Sequence, residues 1–255
     1  MGSKRTRQRQ LQKLAARRAA ERKRQRRRRI VAGVVAFVVA AGGGTAAFFA
    51  FTGKKAPAKT SASPSAQPLV ACGGTRPAAA GKKKRSFDQA PPPTIDRSRS
   101  YTATMVTSCG TIQLQLFPKV APVAVNSFVF LARHGYFDGL FFHRVVKNFV
   151  IQGGDPLGMG SGGPGYSFKD ELGGGLTYKV GTLAMANSGR NTNGSQFFIV
   201  SGPDGPRQLE HKYTIFGKVR AGLPVVRTIQ DVPTNPSTQR PIRVIYIERV
   251  TISER

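Results

Sequence analysis

The chain has 255 residues, enough for one or two domains, and a formal net charge of +28. Its two cysteines argue against a cysteine-based metal site. The charge is unevenly distributed, because residues 1–29 hold 14 Lys and Arg against one acid, while residues 101–255 hold 16 against nine. Most of the positive excess therefore lies outside the predicted folded domain.

Residues 1–29 form a basic tail that ends in four consecutive arginines. Such a run can bind nucleic acid, or it can act as the topological signal beside a membrane span. Residues 30–53 hold no charged side chain, and they match the ~20 apolar residues that cross a bilayer as a helix. We therefore predict a single transmembrane helix at Ile30–Gly53 with the N-terminus in the cytoplasm, and we expect no nucleic-acid binding.

A cleaved signal peptide is the alternative, since Ala56-Pro57-Ala58 could still be cut. Against it, the apolar stretch is longer than a usual signal-peptide core, and Lys54 and Lys55 follow it at once. We favour a retained anchor that makes this a single-pass protein of the cell membrane, with the domain outside the cytoplasm.

Residues 54–100 are rich in Pro, Ala, Ser and Lys without hydrophobic periodicity, which is typical of a tether. This linker contains Cys72, and the other cysteine is Cys109 in the predicted turn Ser108-Cys109-Gly110. Two cysteines in an exported chain favour one disulfide. Two free thiols are the alternative, because the sequence does not show that the two Cα atoms approach within ~7 Å.

Residues 101–255 form the predicted domain. Alternating apolar residues predict strands on both sides of a Cys-Gly turn, and helical spacing follows from Val123 to Ala132. A second helix is predicted near Leu223–Ile229. Many short strands with few helices indicate a barrel or a sandwich. Further strands are predicted within 141–155 and at 181–186, 196–200, 213–219 and 242–252.

Two motifs carry the functional signal. Phe142-His143-Arg144-Val145 leads to Gln152-Gly153-Gly154-Asp155, and residues 181–200 read Gly-Thr-Leu-Ala-Met-Ala-Asn-Ser-Gly-Arg-Asn-Thr-Asn-Gly-Ser-Gln-Phe-Phe-Ile-Val. A charged arginine among apolar strand residues is costly unless it is satisfied, and a salt bridge to a carboxylate is the structural alternative to a functional role. Both runs resemble the cyclophilin family of peptidyl-prolyl isomerases, here of the membrane-anchored bacterial type.

The resemblance covers Thr102 to the C-terminus. It implies a mainly β fold, a closed eight-stranded antiparallel β-barrel capped by two α-helices, which the predicted transmembrane helix precedes. It also implies an enzyme that needs no cofactor and no metal, and that acts on proline-containing polypeptides. We expect the domain to be monomeric.

The resemblance assigns roles residue by residue. Arg144 would weaken the resonance of the prolyl amide, and Gln152 and Asn187 would hydrogen-bond the substrate backbone. Gly160 would allow close approach of the peptide. The proline pocket would be lined by Phe149, Val150, Phe198 and Leu209, with Tyr213 as an aromatic wall, and the groove would be shaped by Ala186, Ser188 and Gln196.

Three positions depart from the family pattern. Val150 stands where methionine is frequent, which gives a smaller wall. Tyr213 stands where many members have histidine, and we expect activity to survive. Gln208 stands where many members have the tryptophan that holds cyclosporin, and the chain has no tryptophan. The sequence therefore predicts weak cyclosporin binding. The alternative function is a non-catalytic module that binds proline peptides at the membrane.

Overall fold

The computed structural model describes residues 68–209 and 211–255. The predicted basic tail, the predicted transmembrane helix and residues 54–67 of the predicted linker lie outside the described residues. Within the described ranges, every helix is too short or too polar to span a bilayer.

The domain is built from short strands and three α-helices within the described residues. The helices are α1 (Pro122–Arg133), α2 (Asp204–Gln208) and α3 (Leu223–Gln230). The strands are β1 (Tyr101–Thr107), β2 (Gly110–Leu116), β3 (Arg144–Val146), β4 (Val150–Gly153), β5 (Thr182–Met185), β6 (Phe197–Val200), β7 (Ile215–Ala221) and β8 (Ile247–Glu254).

The eight strands form one antiparallel sheet in the order β3-β4-β6-β5-β7-β2-β1-β8. The edge strands are β3 and β8, and the segments just before them meet at an antiparallel bridge between Phe141 and Tyr246. The Phe142 N–H donates to the Ile245 carbonyl at 3.0 Å beside this bridge. The mainly β, eight-stranded antiparallel prediction is confirmed, and complete closure of the barrel stays a prediction.

The described residues contain three α-helices, one more than the sequence predicted. Helix α1 begins at Pro122, where a missing N–H costs nothing. The Glu171 carboxylate accepts hydrogen bonds from the Val123 and Ala124 N–H groups at 3.0 and 2.9 Å, which satisfies the open donors of the first turn. Helix α2 was not predicted, because five residues are too few to show a helical period.

Alternate residues of the central strands enter two different apolar clusters, as the two-residue period of a strand requires. The main core includes Ile151 of β4 and Phe197 and Ile199 of β6, packed under α1. We call the other group the second apolar cluster. Its buried members are Val150, Tyr178, Ala184, Phe198, Val200 and Ile215, with Phe117, Phe149, Leu176, Ala186, Leu209 and Tyr213 partly buried against them.

Residues 68–100, here called the N-terminal strap, lie against the domain. Cys72 is disulfide-bonded to Cys109 with their Cα atoms 5.0 Å apart. The Phe87 ring packs edge-on against Phe130 of α1 with centroids 5.0 Å apart, and the Asn126 side chain accepts the Thr94 N–H at 2.8 Å. The favoured Cys72–Cys109 pairing is present in the structure, but the sequence did not predict the ring and side-chain contacts, because single, widely spaced residues make them and no periodic pattern results.

Candidate functional site

Arg144 begins β3 and lies opposite Gln152 of β4 in the strand register. Its Nε donates to the Gln239 Oε1 at 2.6 Å, and its Nη1 donates to the Gln152 Oε1 at 3.3 Å. Within the described residues, no carboxylate forms an ion pair with Arg144. A guanidinium has five N–H donors, so this arrangement holds the group in place with neutral amides and leaves N–H groups for a ligand.

Burial is the main influence on the charge of Arg144. The side chain is half-buried, and this desolvation lowers the pKa of its guanidinium, while the nearby Tyr213 acts in the opposite direction. Arginine nonetheless stays protonated in proteins. The guanidinium carbon lies 6.0 Å from the centre of the Phe149 ring. A permanent positive charge is therefore held beside an aromatic side chain in a partly dehydrated place.

A chain of side-chain amides continues from Arg144 across the sheet. The Gln152 Nε2 donates to the Gln196 Oε1 at 3.0 Å, and the Gln196 Nε2 donates to the Gly162 carbonyl at 2.9 Å. These bonds fix the orientation of both glutamine side chains. A cavity of about 210 Å³ opens here, and its lining includes the predicted residues Gln152, Gly160, Ala186, Asn187, Ser188 and Gln196.

The Asn187 side chain is already engaged. Its Nδ2 lies within hydrogen-bond distance of the Asp170 Oδ1, the Asn193 Oδ1 and the Lys212 carbonyl at 3.3, 3.4 and 3.3 Å. Its Oδ1 accepts the Gly189 N–H at 3.3 Å. These contacts position the backbone of Asn187 at the rim of the cavity, and the main chain is the part of this residue that is available to a peptide.

Gly160 belongs to a loop that Asp155 organises. The fully buried Asp155 carboxylate accepts the N–H groups of Leu157 and Met159 at 2.7 and 2.9 Å. Gly160 has a φ of +84°, and a Cβ there would meet no other atom within 4 Å. Glycine is therefore required by the backbone conformation rather than by space. Asp155 has no predicted role, because its function becomes visible only from these contacts.

The predicted proline-pocket residues gather in the second apolar cluster. Phe149, Val150, Phe198, Leu209 and Tyr213 all belong to it, together with Ala186. The Phe198 and Tyr213 rings are perpendicular with centroids 5.4 Å apart. Their grouping beside Arg144 puts an apolar, aromatic surface and a fixed cation at one place.

The sequence missed Tyr178, which holds Tyr213 in position. The Tyr178 hydroxyl donates to the Tyr213 carbonyl at 2.8 Å and accepts the Tyr213 N–H at 3.2 Å. It also missed Gln239, the partner of the Arg144 Nε. Both residues come from segments without a motif, and nothing in the local pattern marks them.

The predicted residue Gln208 lies apart from the site. It is exposed at the end of α2, and within the described residues it neither lines this cavity nor belongs to the second apolar cluster.

The similarity to known proteins extends over most of the described domain. The family model "Cyclophilin type peptidyl-prolyl cis-trans isomerase/CLD" matches residues 102–252. Peptidyl-prolyl cis-trans isomerase B of Streptomyces anulatus is 44% identical over an alignment of 171 residues, which covers 60% of this chain and 97% of that protein. Peptidyl-prolyl cis-trans isomerase cypE of Dictyostelium discoideum is 46% identical over 154 residues, 59% of this chain and 96% of that protein.

A solved structure gives the same result. The crystal structure of a Cryptosporidium parvum cyclophilin type peptidyl-prolyl cis-trans isomerase in the presence of the dipeptide Ala-Pro superposes with a TM-score of 0.56 at 37% identity. The match covers 60% of this chain and 98% of that one.

Proposed function

Because this chain belongs to the cyclophilin-type peptidyl-prolyl cis-trans isomerase family and is therefore an isomerase, we propose how its residues act on a bound proline. In this proposal an N–H of Arg144 donates to the proline nitrogen, and the apolar group of Phe149, Phe198, Leu209 and Tyr213 holds the proline ring. The observation that carries the proposal is the guanidinium held by neutral amides beside an aromatic cluster.

The chemistry needs no covalent intermediate. Rotation about the prolyl amide meets a barrier of ~18–20 kcal/mol, because the nitrogen lone pair is delocalised into the carbonyl. A cationic donor at the nitrogen localises that lone pair and lowers the double-bond character. Lowering the barrier by roughly 6–7 kcal/mol gives a rate increase of about 10⁵-fold.

The proline ring must stay fixed while the preceding carbonyl turns. An apolar surface that grips the ring, and backbone contacts that hold the flanking peptide, stabilise the twisted amide more than either planar form. Gln152, Gln196 and the main chain of Asn187 lie at the cavity where such backbone contacts would form. Gly160 brings a stretch of main chain without a side chain to the same rim.

A protease-coupled assay on a proline tetrapeptide tests this role. Arg144→Ala should lower kcat/KM by about 10²–10³-fold, the usual loss when one charge-stabilising donor is removed. Arg144→Lys should recover only part of this loss, because an ammonium group cannot keep both amide contacts. Arg243→Ala is the matched control, since Arg243 is exposed and lies outside the site.

The outcome also separates catalysis from simple binding. If wild type and Arg144→Ala turn over the peptide at the same background rate while both bind it, the chain is a proline-binding module. A circular dichroism spectrum for each variant excludes misfolding as the cause of a lost rate.

We further propose that the enzyme is anchored in the cell membrane and assists the folding of exported proteins. The uncharged stretch at residues 30–53 behind a basic tail supports the anchor. The Cys72–Cys109 disulfide supports an oxidising location for the domain. Proline isomerisation takes tens of seconds at about 25 °C, which is slow enough to limit the rate of folding.

Protease treatment of intact cells tests the anchor and its orientation. The domain should be digested in intact cells, and the full chain should sediment with membranes. Loss of sedimentation after deletion of residues 30–53 would support the anchor, and a domain protected until the cells are lysed would contradict the orientation. We also propose a monomer, since one chain supplies every residue of the proposed site.

A further inference from the structure

A second cavity borders the proposed site on the side of Arg144. Its volume is about 340 Å³, and it shares Arg144, Gln152 and Gly160 with the site already described. The remaining wall includes Thr238 and Arg240 from the segment between α3 and β8, and Met159 from the Asp155 loop. A peptide whose proline lies beside Arg144 therefore has room for a neighbouring side chain in this cavity.

The cavity wall is positively charged. Arg144 and Arg240 both line it, and none of its lining residues is acidic. Arg240 donates through its Nη2 to the Gly158 carbonyl, and its guanidinium carbon lies 5.9 Å from the Phe141 ring centre. Within the described residues, Arg240 has no carboxylate partner. The Arg240 guanidinium, which has five N–H donors, is thus held at its Nη2, and Arg240 lines the cavity.

Two further titratable groups, Asp155 and His143, lie close to this wall. Asp155 is the acid near His143, and its two oxygens already accept backbone N–H groups of its own loop. His143 is 6% exposed and lies next to Arg144 and Arg240. Burial lowers the pKa of the His143 imidazole, which keeps the ring neutral near pH 7. The charged groups on the cavity wall itself are therefore the two arginines, and the buried Asp155 lies behind them.

We propose that this cavity, at Arg240 and Thr238, binds the carboxylate of an acidic residue close in sequence to the substrate proline, which makes Arg240 a specificity-determining residue. The proposal rests on the proposed isomerase site. Arg240 supplies the charge-assisted hydrogen bonds, and Arg144 adds attraction at longer range. Met159, which is 72% exposed, lies on the wall of the same cavity. The enzyme would then favour sites on unfolded chains where an acid stands near proline.

Paired peptides measure this preference. The full-length protein in detergent is used for these measurements. Each peptide carries Glu, its uncharged analogue Gln, or Lys at one position between two residues before and three residues after the proline. We expect Glu to exceed Gln in kcat/KM by about threefold at one of these positions, as for a partly exposed ion pair, and Lys to fall below Gln.

Variants assign the preference to the cavity. In Arg240→Gln the Glu-to-Gln ratio should fall to about one, and in Arg240→Lys it should be partly retained. Arg243→Gln is the matched control, because Arg243 is exposed, close in sequence and of the same charge, and it should keep the wild-type ratio. The wild-type ratio should also shrink towards one in about 0.5 M salt, since a charge preference of this kind is screened.

The possible failures are distinguishable. A ratio of one or less at every position in the wild type overturns the proposal, and so does an equal loss in Arg240→Gln and Arg243→Gln, which would show a general effect of net charge. Activity on the Gln peptides that disappears in Arg144→Ala still supports the isomerase mechanism in either case. No Arg144-dependent turnover of any peptide would instead overturn the proposed mechanism itself.

Discussion

The two faces of the central strands have different roles, although residues adjacent in sequence supply them. Phe197 and Phe198 are adjacent in β6, yet Phe197 is fully buried in the main core and Phe198 belongs to the second apolar cluster beside Arg144. The same alternation separates Ile151 from Gln152 in β4. On one face the Phe197 ring contacts Phe128 of α1, and on the other lie the residues of the proposed proline pocket. Adjacent residues of one strand therefore have different roles: one packs in the core, and the next belongs to the proposed site.

The largest expected effect is on the covered face. Phe197→Ala should lower the free energy of unfolding by about 3–5 kcal/mol, because it removes a large ring from a fully packed core. Urea denaturation followed by circular dichroism measures this. Below the unfolding midpoint, kcat/KM per folded molecule should change little. A large loss of activity without a loss of stability would show that the two faces are not separate.

The N-terminal strap offers a third region for comparison, and its residues Ala71, Phe87 and Ile95 belong to or pack against the main core. Replacing Cys72 and Cys109 together with Ser should lower the free energy of unfolding by roughly 2–4 kcal/mol, since the bond closes a loop with a sequence separation of 37 residues. The assay on a proline peptide should be unaffected at a temperature where the variant is folded. The wild type under reducing conditions is the matched control and should lose the same amount.

The open face should respond in activity. Phe198→Ala should lower kcat/KM by about 10–100-fold, because the proline ring loses an apolar contact that contributes roughly 1.5–3 kcal/mol. Phe198→Leu is the conservative control and should recover most of the activity. If Phe198→Ala loses stability as severely as Phe197→Ala while its folded fraction keeps full activity, the second apolar cluster is structural only.

The sequence predicted most of the strands and the motif residues of the site, but it did not predict the residues that surround them. Strand alternation located β1 and β2, since a half-buried strand must alternate, and short runs of bulky apolar residues located the central strands, which are buried on both faces. The motif around Arg144 favoured a functional arginine over one in a salt bridge, and the structure places neutral amides around it. The sequence could not predict Gln239, Arg240 or Tyr178 as neighbours of the site, because only the folded chain brings these distant segments together.

The linker shows the same limit in a different form. Residues 68–100 have the composition of a tether, which indicates that the segment does not bury enough apolar surface to fold by itself. The structure holds them on the domain through a disulfide, a ring contact between Phe87 and Phe130 and the side chain of Asn126. Contacts of this kind depend on the partner surface, and no local period records them.

His143 lies at the boundary of the two faces, between Phe142 of the main core and Arg144 of the site. Burial lowers the pKa of its imidazole below the ordinary 6.5, with Arg240 and Arg144 acting in the same direction and Asp155 against them. The unfolded chain then binds a proton more readily than the folded one. The stability contribution is therefore present above pH 6.5 and is lost as the pH falls, by up to about 1.4 kcal/mol per pH unit.

Urea denaturation between pH 7.5 and 5 tests this, with His143→Gln as the comparison. The wild type should lose stability steadily below pH 6.5, and the variant should lose less. The measurement stops at pH 5, because the pKa values of Asp96 and Glu254 are also lowered in the folded state and their contributions are lost at more acidic pH. The exposed His134 and His211 are common to both proteins. Parallel curves for the two proteins would contradict a buried neutral His143.

The smallest expected effect is at the rim of the open face. Gln208 is exposed at the end of α2, directly before the partly buried Leu209 of the second apolar cluster. A tryptophan there would add a large rigid contact surface next to the cluster. Gln208→Trp should therefore strengthen inhibition by cyclosporin by about tenfold over a weakly inhibited wild type, while turnover of short peptides stays within about twofold. Arg207→Trp, one residue earlier on the exposed end of α2, is the matched control and should leave the inhibition unchanged. Equal, strong inhibition of wild type and Gln208→Trp would show that the open face already holds the inhibitor without an aromatic side chain at its rim.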